Sequence, residues 1–190
     1  MRLILASTSS YRGALLARLR LTFEQIAPAF DEARPGSMDP DALVRFNTLG
    51  KAASVLDLHP GALVIASDQL AVCRDRVLGK PGSIERACEQ LHLLSGNTVT
   101  FLTGLALASA ETQRFEIIPY QVCFRDLDDA EIRAYVAAEQ PLDCAGSFKS
   151  EGLGVSLFEQ MRGDDPTALI GLPLIRLSQW LQPLKQLQRQ

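Results

Sequence analysis

The sequence predicts a mixed α/β protein, and three observations carry that prediction. Short continuous apolar runs of strand length alternate with segments whose apolar residues recur every three or four positions. Two long runs rich in β-branched and aromatic residues follow one another as the arms of a hairpin would. Of the 190 residues, 47% are hydrophobic and 22% charged, the balance of a chain that buries a sizeable core. The expected arrangement is one domain over residues 1–190, with a mixed sheet and two lobes around a central cleft.

Residues 3–6 form an apolar run followed by Ser7-Thr8-Ser9-Ser10, then by Leu15, Leu16 and Leu19 at helical spacing, which reads as strand, tight turn, helix. Residues 23–27 read as a second strand, and 28–39, with Pro, Gly and acidic side chains, as a loop. From Asp41 onward, Leu43, Phe46, Gly50, Ala53 and Leu56 step by threes and fours, predicting a helix with that apolar face and Lys51 beside it. Residues 62–66 are continuously apolar, the mark of a buried central strand, expected to end in Ser67-Asp68-Gln69.

Arg74-Asp75 separates two short apolar runs as a hairpin turn, and Gly79-Lys80-Pro81 is loop. Residues 83–94 predict a helix stopped at Gly96. Residues 98–107 and 115–124 predict two paired antiparallel strands. Asp128 followed by Glu131 is a capping box for a helix to about Glu139. Gly146, Gly152 and Gly154 punctuate a loop, 155–158 reads as a strand, and the tail from Leu172 as mostly helix.

Nineteen Lys and Arg against 22 Asp and Glu give a net charge of −3, so no global field draws nucleic acid or an anionic membrane, and any polyanion must be caught by a local cluster. Cys73, Cys88, Cys123 and Cys144 lie far apart with no CxxC pair and only His59 and His92 beside them. They read as reduced core thiols of a cytoplasmic protein rather than zinc ligands. The N-terminal apolar run is too short for a signal peptide, and polar residues interrupt the longest uncharged stretch. No membrane partner is expected.

Two clusters could carry chemistry. In Ser7 to Arg12, backbone N–H groups at a helix start, hydroxyls and an arginine suit a phosphate, although helix capping alone explains the serines. Lys51, Lys80 and Lys149 are further cations that, taken singly, read as solvated surface lysines. Asp31-Glu32 in the first loop and Asp68 at the predicted end of a buried strand offer oxygen-only ligands, which suit Mg²⁺ or Mn²⁺ shared with substrate phosphate and water. A solvated acidic pair and a turn-capping carboxylate are the plain alternatives. Together the clusters point to a metal-bound phosphorylated small molecule, and no GxSxG, Walker or triad pattern competes.

Ser7-Thr8-Ser9-Ser10-Tyr11-Arg12, Asp31-Glu32, Gly50-Lys51-Ala52, Ser67-Asp68-Gln69, Gly79-Lys80-Pro81 and Ala145-Gly146-Ser147-Phe148-Lys149-Ser150-Glu151-Gly152 resemble, in order, the motifs of the Maf nucleoside triphosphate pyrophosphatases. The resemblance runs from Leu3 to about Pro173. It implies an inosine-triphosphate-pyrophosphatase-like fold, a bacterial cytoplasmic setting, a divalent metal, and hydrolysis of a nucleoside triphosphate to the monophosphate and pyrophosphate. A homodimer is among the assemblies it allows. By resemblance Asp68 matches the proton acceptor, with direct metal binding as the alternative. Ser7, Arg12, Lys51 and Lys80 match phosphate-binding positions, and Glu32, with Asp31 beside it, the acidic metal-associated position.

The family motif reads Ser-x-Ser-Pro-Arg-Arg, and here Ser10 and Tyr11 replace the proline and first arginine. Tyr11, Gln69 and Glu151 stand where the dTTP and UTP branch carries Arg, Thr and Gln, and they resemble the branch acting on 7-methyl-GTP. Physical chemistry agrees: N7 methylation makes the guanine ring cationic, so an aromatic face at Tyr11 gains roughly 0.5–2 kcal/mol. Glu151 can accept from the N–H groups of the base edge. The alternatives are another noncanonical or pyrimidine triphosphate as substrate, or a nucleotide-binding regulator of cell division that does not turn over.

Overall fold

The structure, a computed structural model, describes residues 2–187, with side chains of the last helix described as far as Gln182. Met1 and residues 188–190, the ends of the expected 1–190 domain, lie outside the described residues. In chain order the elements are β1 (Arg2–Ala6), α1 (Ser10–Ala17), β2 (Glu24–Ile26), α2 (Pro40–Leu58), β3 (Ala62–Cys73), β4 (Arg76–Leu78), α3 (Ile84–Leu94), β5 (Thr98–Ala108), β6 (Gln113–Phe124), α4 (Asp129–Glu139), a 3-10 turn (Leu153–Leu157), β7 (Phe158–Arg162), α5 (Pro166–Ile170) and α6 (Leu174–Leu187). The strands form one mixed sheet of order β2-β1-β3-β5-β6-β7, with β4 paired to β3. β1 is parallel to β2 and β3, whereas the β3–β4 and β6–β7 pairs are antiparallel. The mixed α/β class is the one the sequence predicted, and no described helix is long and apolar enough to cross a membrane.

Five helices begin at a short polar side chain that accepts a backbone N–H: Ser9, Asp39, Ser83, Asp128 and Asp165. Each such cap is worth about 1 kcal/mol. The Arg74-Asp75 turn is the expected hairpin, with both residues at positive φ (48° and 63°), the twist a two-residue turn between paired strands requires.

The chain divides into two compact units. The first comprises Met1–Gln69, Thr103–Ile118 and Asp165–Gln190, the second Leu70–Leu102 and Pro119–Asp164. In the first unit, strand alternation sorts side chains onto two faces. Leu5, Leu63, Ile65, Leu105 and Leu107 pack with Leu15 and Leu16 of α1, Ala168 of α5 and Leu174, Leu177 and Leu181 of α6. Ile4, Ala6, Ala62, Val64, Ala66, Ala106 and Ala108 pack instead with Ala52 and Val55 of α2. That second face is rich in alanine, so α2 approaches closely. At Gly104 of β5 even a Cβ would lie 2.3 Å from Thr48 Oγ1 and 2.7 Å from Val44 Cγ1.

Four expectations change. The buried stripe of α2 is Leu43, Val44, Asn47, Thr48, Lys51, Ala52 and Val55, while Phe46 is exposed; Lys51 lies on the buried face rather than beside it. Hydrophobic spacing misplaces the stripe because three of its members are polar. β3 does not end in Ser67-Asp68-Gln69 but runs on to Cys73, so Asp68 sits inside a strand. It is β1 that ends earlier, at the Ala6–Ala66 pair, which leaves Asp68 two residues past its parallel neighbour. Residues 153–157 form the 3-10 turn, and the strand read at 155–158 starts at Phe158. The five-residue α5 has no sequence periodicity long enough to signal it.

In the second unit, Phe101, Phe124, Phe148 and Phe158 form an edge-to-face cluster with ring centroids 5.1–5.4 Å apart. Phe148 carries the glycine-punctuated loop into this core. The neighbouring Ser147 Oγ donates to Gln90 Oε1 of α3 at 2.6 Å.

Candidate active site

Parity along β3 determines what each residue of Ser67-Asp68-Gln69 meets. Asp68 continues the series Ala62, Val64, Ala66 and therefore faces α2; Ser67 and Gln69 continue Leu63 and Ile65 and face α5. On the α2 side, Lys51 Nζ lies 2.6 Å from Asp68 Oδ1 and 2.8 Å from Glu32 Oε1. Lys51 and Asp68 are 5% and 6% exposed, whereas the Glu32 side chain is 55% exposed. Asp31 is exposed beside it. The 28–39 segment is thereby tied to a buried ion pair through one exposed carboxylate.

Asn47, one helical turn before Lys51, completes the arrangement and was not singled out from the sequence. Its Nδ2 donates to Asp68 Oδ2 at 3.3 Å, and its Oδ1 accepts from Ala33 N at 2.9 Å. The signal that could have found it is the i, i+4 pair Asn47 and Lys51, two polar side chains on the stripe that otherwise packs against the sheet.

Ser7, immediately past β1, is buried; its Oγ accepts from Ser9 N at 3.1 Å, and its own N–H donates to Leu5 and Ile26 carbonyls. Ser9 caps α1 by accepting from Arg12 N, so the capping reading holds for that serine. The Arg12 Nε donates to the Gly171 carbonyl at 2.9 Å. Burial pushes the Arg12 guanidinium down from its ordinary value, and the charges of Asp68 and Glu32 push it back up, which places this cation in the field of both carboxylates. Ser7 at the end of β1, Arg12, Glu32, Lys51 and Asp68 all belong to the first unit.

Of the residues read as contacting a base, Tyr11 stands at the second position of α1, 39% exposed. Gln69 is engaged on the α5 side: its Nε2 lies 2.7 Å from Ala168 O, 3.1 Å from Leu169 O and 3.0 Å from Thr103 Oγ1. Glu151 is an exposed member of the second unit, with Ser150 Oγ donating to its Oε2 at 2.8 Å. Its loop is held at both sides by α4. Tyr135 OH accepts from Lys149 N, Lys149 Nζ donates to Glu139 O at 3.2 Å, and Glu139 Oε2 accepts from Leu153 N at 2.8 Å. Lys149 is thus a loop anchor. Lys80, also of the second unit, is exposed two residues past β4.

The ligand chemistry for a metal is oxygen only. Among the described residues no three His, Cys, Asp or Glu side chains gather into a metal-binding group, so Asp31, Glu32 and Asp68 do not form a three-carboxylate cage. Glu32 and Asp68, converging on one ammonium, do fit a hard dication that takes one or two protein carboxylates and completes its shell with phosphate and water.

Known proteins show similarity to this chain at two levels, in overall structure and in sequence. A solved structure, that of the Ham1 protein from Staphylococcus aureus, overlaps 68% of this chain and 73% of its own at a TM-score of 0.46 and 17% identity. A protein of Pseudomonas aeruginosa named 7-methyl-GTP pyrophosphatase is 53% identical over 177 residues, 92% of each chain. One of the same name from Alkalilimnicola ehrlichii is 56% identical over 182 residues, 94% of this chain and 91% of its own. The model of the family described as Maf-like protein matches residues 2–184, a span that includes every residue of the Lys51, Asp68 and Glu32 cluster as well as the six sequence motifs. The chain belongs to the Maf family.

Proposed function

We propose that this chain is a cytoplasmic nucleoside triphosphate pyrophosphatase that hydrolyses 7-methyl-GTP to 7-methyl-GMP and pyrophosphate, its length working as one catalytic domain. The observation that carries the reading is the buried Lys51–Asp68 pair with Glu32 and Arg12 in its field, in a chain more than half identical to two relatives named for that reaction. Asp68 Oδ1 and Oδ2 are oriented by Lys51 and Asn47, which holds a carboxylate in place to take the proton of the attacking water. Lys51 and Arg12, with Lys80 and Ser7, are assigned to phosphate oxygens, where they neutralise charge that develops as the anhydride bond joining the monophosphate to pyrophosphate breaks.

Charge balance argues for a divalent cation. Lys51 and Arg12 are offset by Asp68 and Glu32, so this cluster is close to neutral and offers a triphosphate little net attraction. Glu32, with Asp31 beside it, would hold Mg²⁺ or Mn²⁺, direct ligation by Asp68 being the alternative to its role as proton acceptor; the ion would supply the missing positive charge and Lewis acidity. Tyr11, Gln69 and Glu151 are proposed to read the base. A cationic ring gains from the aromatic face of Tyr11, and two acceptors suit the adjacent N1–H and N2–H donors of 7-methylguanine, whereas uracil and thymine are neutral and offer a single N3–H between two carbonyls.

A panel of triphosphates with pyrophosphate detection, with and without Mg²⁺ or Mn²⁺, tests the reading. Metal-dependent pyrophosphate release highest with 7-methyl-GTP is expected. Nucleotide binding with no pyrophosphate release would favour a non-catalytic regulator, and a UTP or dTTP preference would reassign the substrate.

A further inference from the structure

Three hydrogen-bond acceptors crowd the single amide nitrogen of Gln69. Its two hydrogens face Ala168 O, Leu169 O and Thr103 Oγ1 at 2.7, 3.1 and 3.0 Å. Rotating the amide by half a turn would bring Oε1 against two backbone carbonyls, an arrangement with no hydrogen between the oxygens. The Thr103 hydroxyl donates to Ala168 O at 2.9 Å, so its lone pairs are left to receive Gln69. Thr103 is fully buried on β5, at the parity of Leu105 and Leu107, on the face that meets α5.

The acceptors themselves are fixed in space. Asp165 Oδ1 accepts from Thr167 N and Thr167 Oγ1, and its Oδ2 from Ile175 N at 2.7 Å, which ties α5 to the start of α6. At the other end Gly171 caps α5 at φ 115°, and its carbonyl accepts from Ser67 Oγ and from Arg12 Nε. A side chain at Gly171 would be strained at that φ and would bring its Cβ within 3.3 Å of Arg12 Nε.

We propose that Thr103 is a positioning residue for base discrimination: with the carbonyl end of α5 it locks Gln69 so that only the amide oxygen is left to meet the base. An acceptor at that place suits the N1–H and N2–H donors of a guanine edge and opposes the carbonyl oxygens of uracil or thymine. The inference rests on Gln69 reading the base, as proposed above.

The test pairs Thr103→Val, nearly isosteric but without the hydroxyl, with Thr103→Ser, which keeps it. Each is measured for the kcat/KM ratio of 7-methyl-GTP to UTP, in the Gln69 and Gln69→Ala backgrounds. Side-chain amide hydrogen exchange is followed by NMR on glutamine-labelled protein, the Gln69→Ala spectrum identifying the signal. Thr103→Val is expected to lower the ratio about fivefold, the scale of one neutral hydrogen bond, and to speed Gln69 amide exchange. Thr103→Ser restores both, and in Gln69→Ala the valine changes the ratio no further.

An unchanged ratio in Thr103→Val, an equal loss in the Gln69→Ala background, or wild-type Gln69 exchanging as fast as an exposed glutamine overturns the proposal. A wild type without preference for 7-methyl-GTP over UTP overturns the substrate reading, and with it the discrimination assigned to Thr103. The exchange measurement then decides the Thr103–Gln69 lock separately.

Discussion

Replacing Asp68 by Asn separates the chemistry of the buried pair from its contribution to folding. The carboxylate is held at both oxygens by donors, Lys51 Nζ at 2.6 Å and Asn47 Nδ2 at 3.3 Å, and Asn47 cannot reverse its amide because Oδ1 already accepts from Ala33 N. An asparagine at 68 has one acceptor for two donors. Whichever way it turns, its own NH₂ faces either an ammonium or another amide NH₂. Lys51 keeps Glu32 at 2.8 Å, so its charge is not stranded and the full cost of a broken buried pair is avoided. The expected cost is that of one unsatisfied buried polar group, about 1–3 kcal/mol. In a chain of this length that lowers Tm by roughly 2–12 °C.

Melting curves and pyrophosphate release are measured together. Asp68→Asn should fold, melt lower and release no pyrophosphate. The double variant Asn47→Asp with Asp68→Asn offers the new amide an acceptor at position 47, exchanging only the long 3.4 Å contact to Ala33 O for a repulsion, and should recover most of the melting temperature without recovering turnover. Wild-type turnover in the single variant removes Asp68 from the chemistry. An unchanged Tm shows that the two-donor argument is wrong, and restored turnover in the double variant shows that the carboxylate need not be at 68.

Tyr11→Arg and Glu151→Gln should each reduce the kcat/KM ratio of 7-methyl-GTP to GTP, by roughly 5- to 150-fold for a loss of about 1–3 kcal/mol, because GTP keeps the pairing edge but lacks the ring charge; a constant ratio in both removes their base-reading roles. Excess EDTA should abolish hydrolysis and added Mg²⁺ or Mn²⁺ restore it, while alkylation of native protein should spare it, since Cys73 and Cys88 are buried and the proposed ligands are oxygens. Burial, then the charge of Asp143, pushes the Cys144 thiol from its ordinary 9 up to about 12. The folded state therefore holds this proton more tightly, so the Cys144 contribution to stability is complete below pH 9 and is lost as pH rises toward 12. Cys144→Ala should flatten that part of the stability profile, and an unchanged slope would show that Cys144 does not titrate this way.

Much of the site was legible as residue types and poorly legible as geometry. Asp68 and Arg12 stand out beside apolar runs, while Lys51 and Glu32, which singly read as solvated side chains, stand out through the motif resemblance, and the four share one field in the first unit. Asn47 and Thr103 were not legible, since an amide on a helix and a threonine in a strand look like ordinary surface and β-forming residues until a partner is placed against them. Lys149 was misleading for the converse reason. A lysine among small residues looks available, but α4 supplies Glu139 to anchor it.

The sequence by itself determined what depends on neighbours a few residues away. The cap at Asp128, the Arg74-Asp75 turn, the period-two and period-three-to-four runs and hence the mixed α/β class are local, because propensity, capping and side-chain periodicity act within one or two turns of chain. The tertiary structure alone decided that β3 outruns β1, that the polar stripe of Asn47, Thr48 and Lys51 turns inward, and that Asp68 and Gln69, adjacent in sequence, serve opposite faces of the sheet. Those outcomes depend on which distant segment pairs or packs against each face. A buried charge is tolerable only where such a segment brings its counter-charge, and no local pattern records that partner.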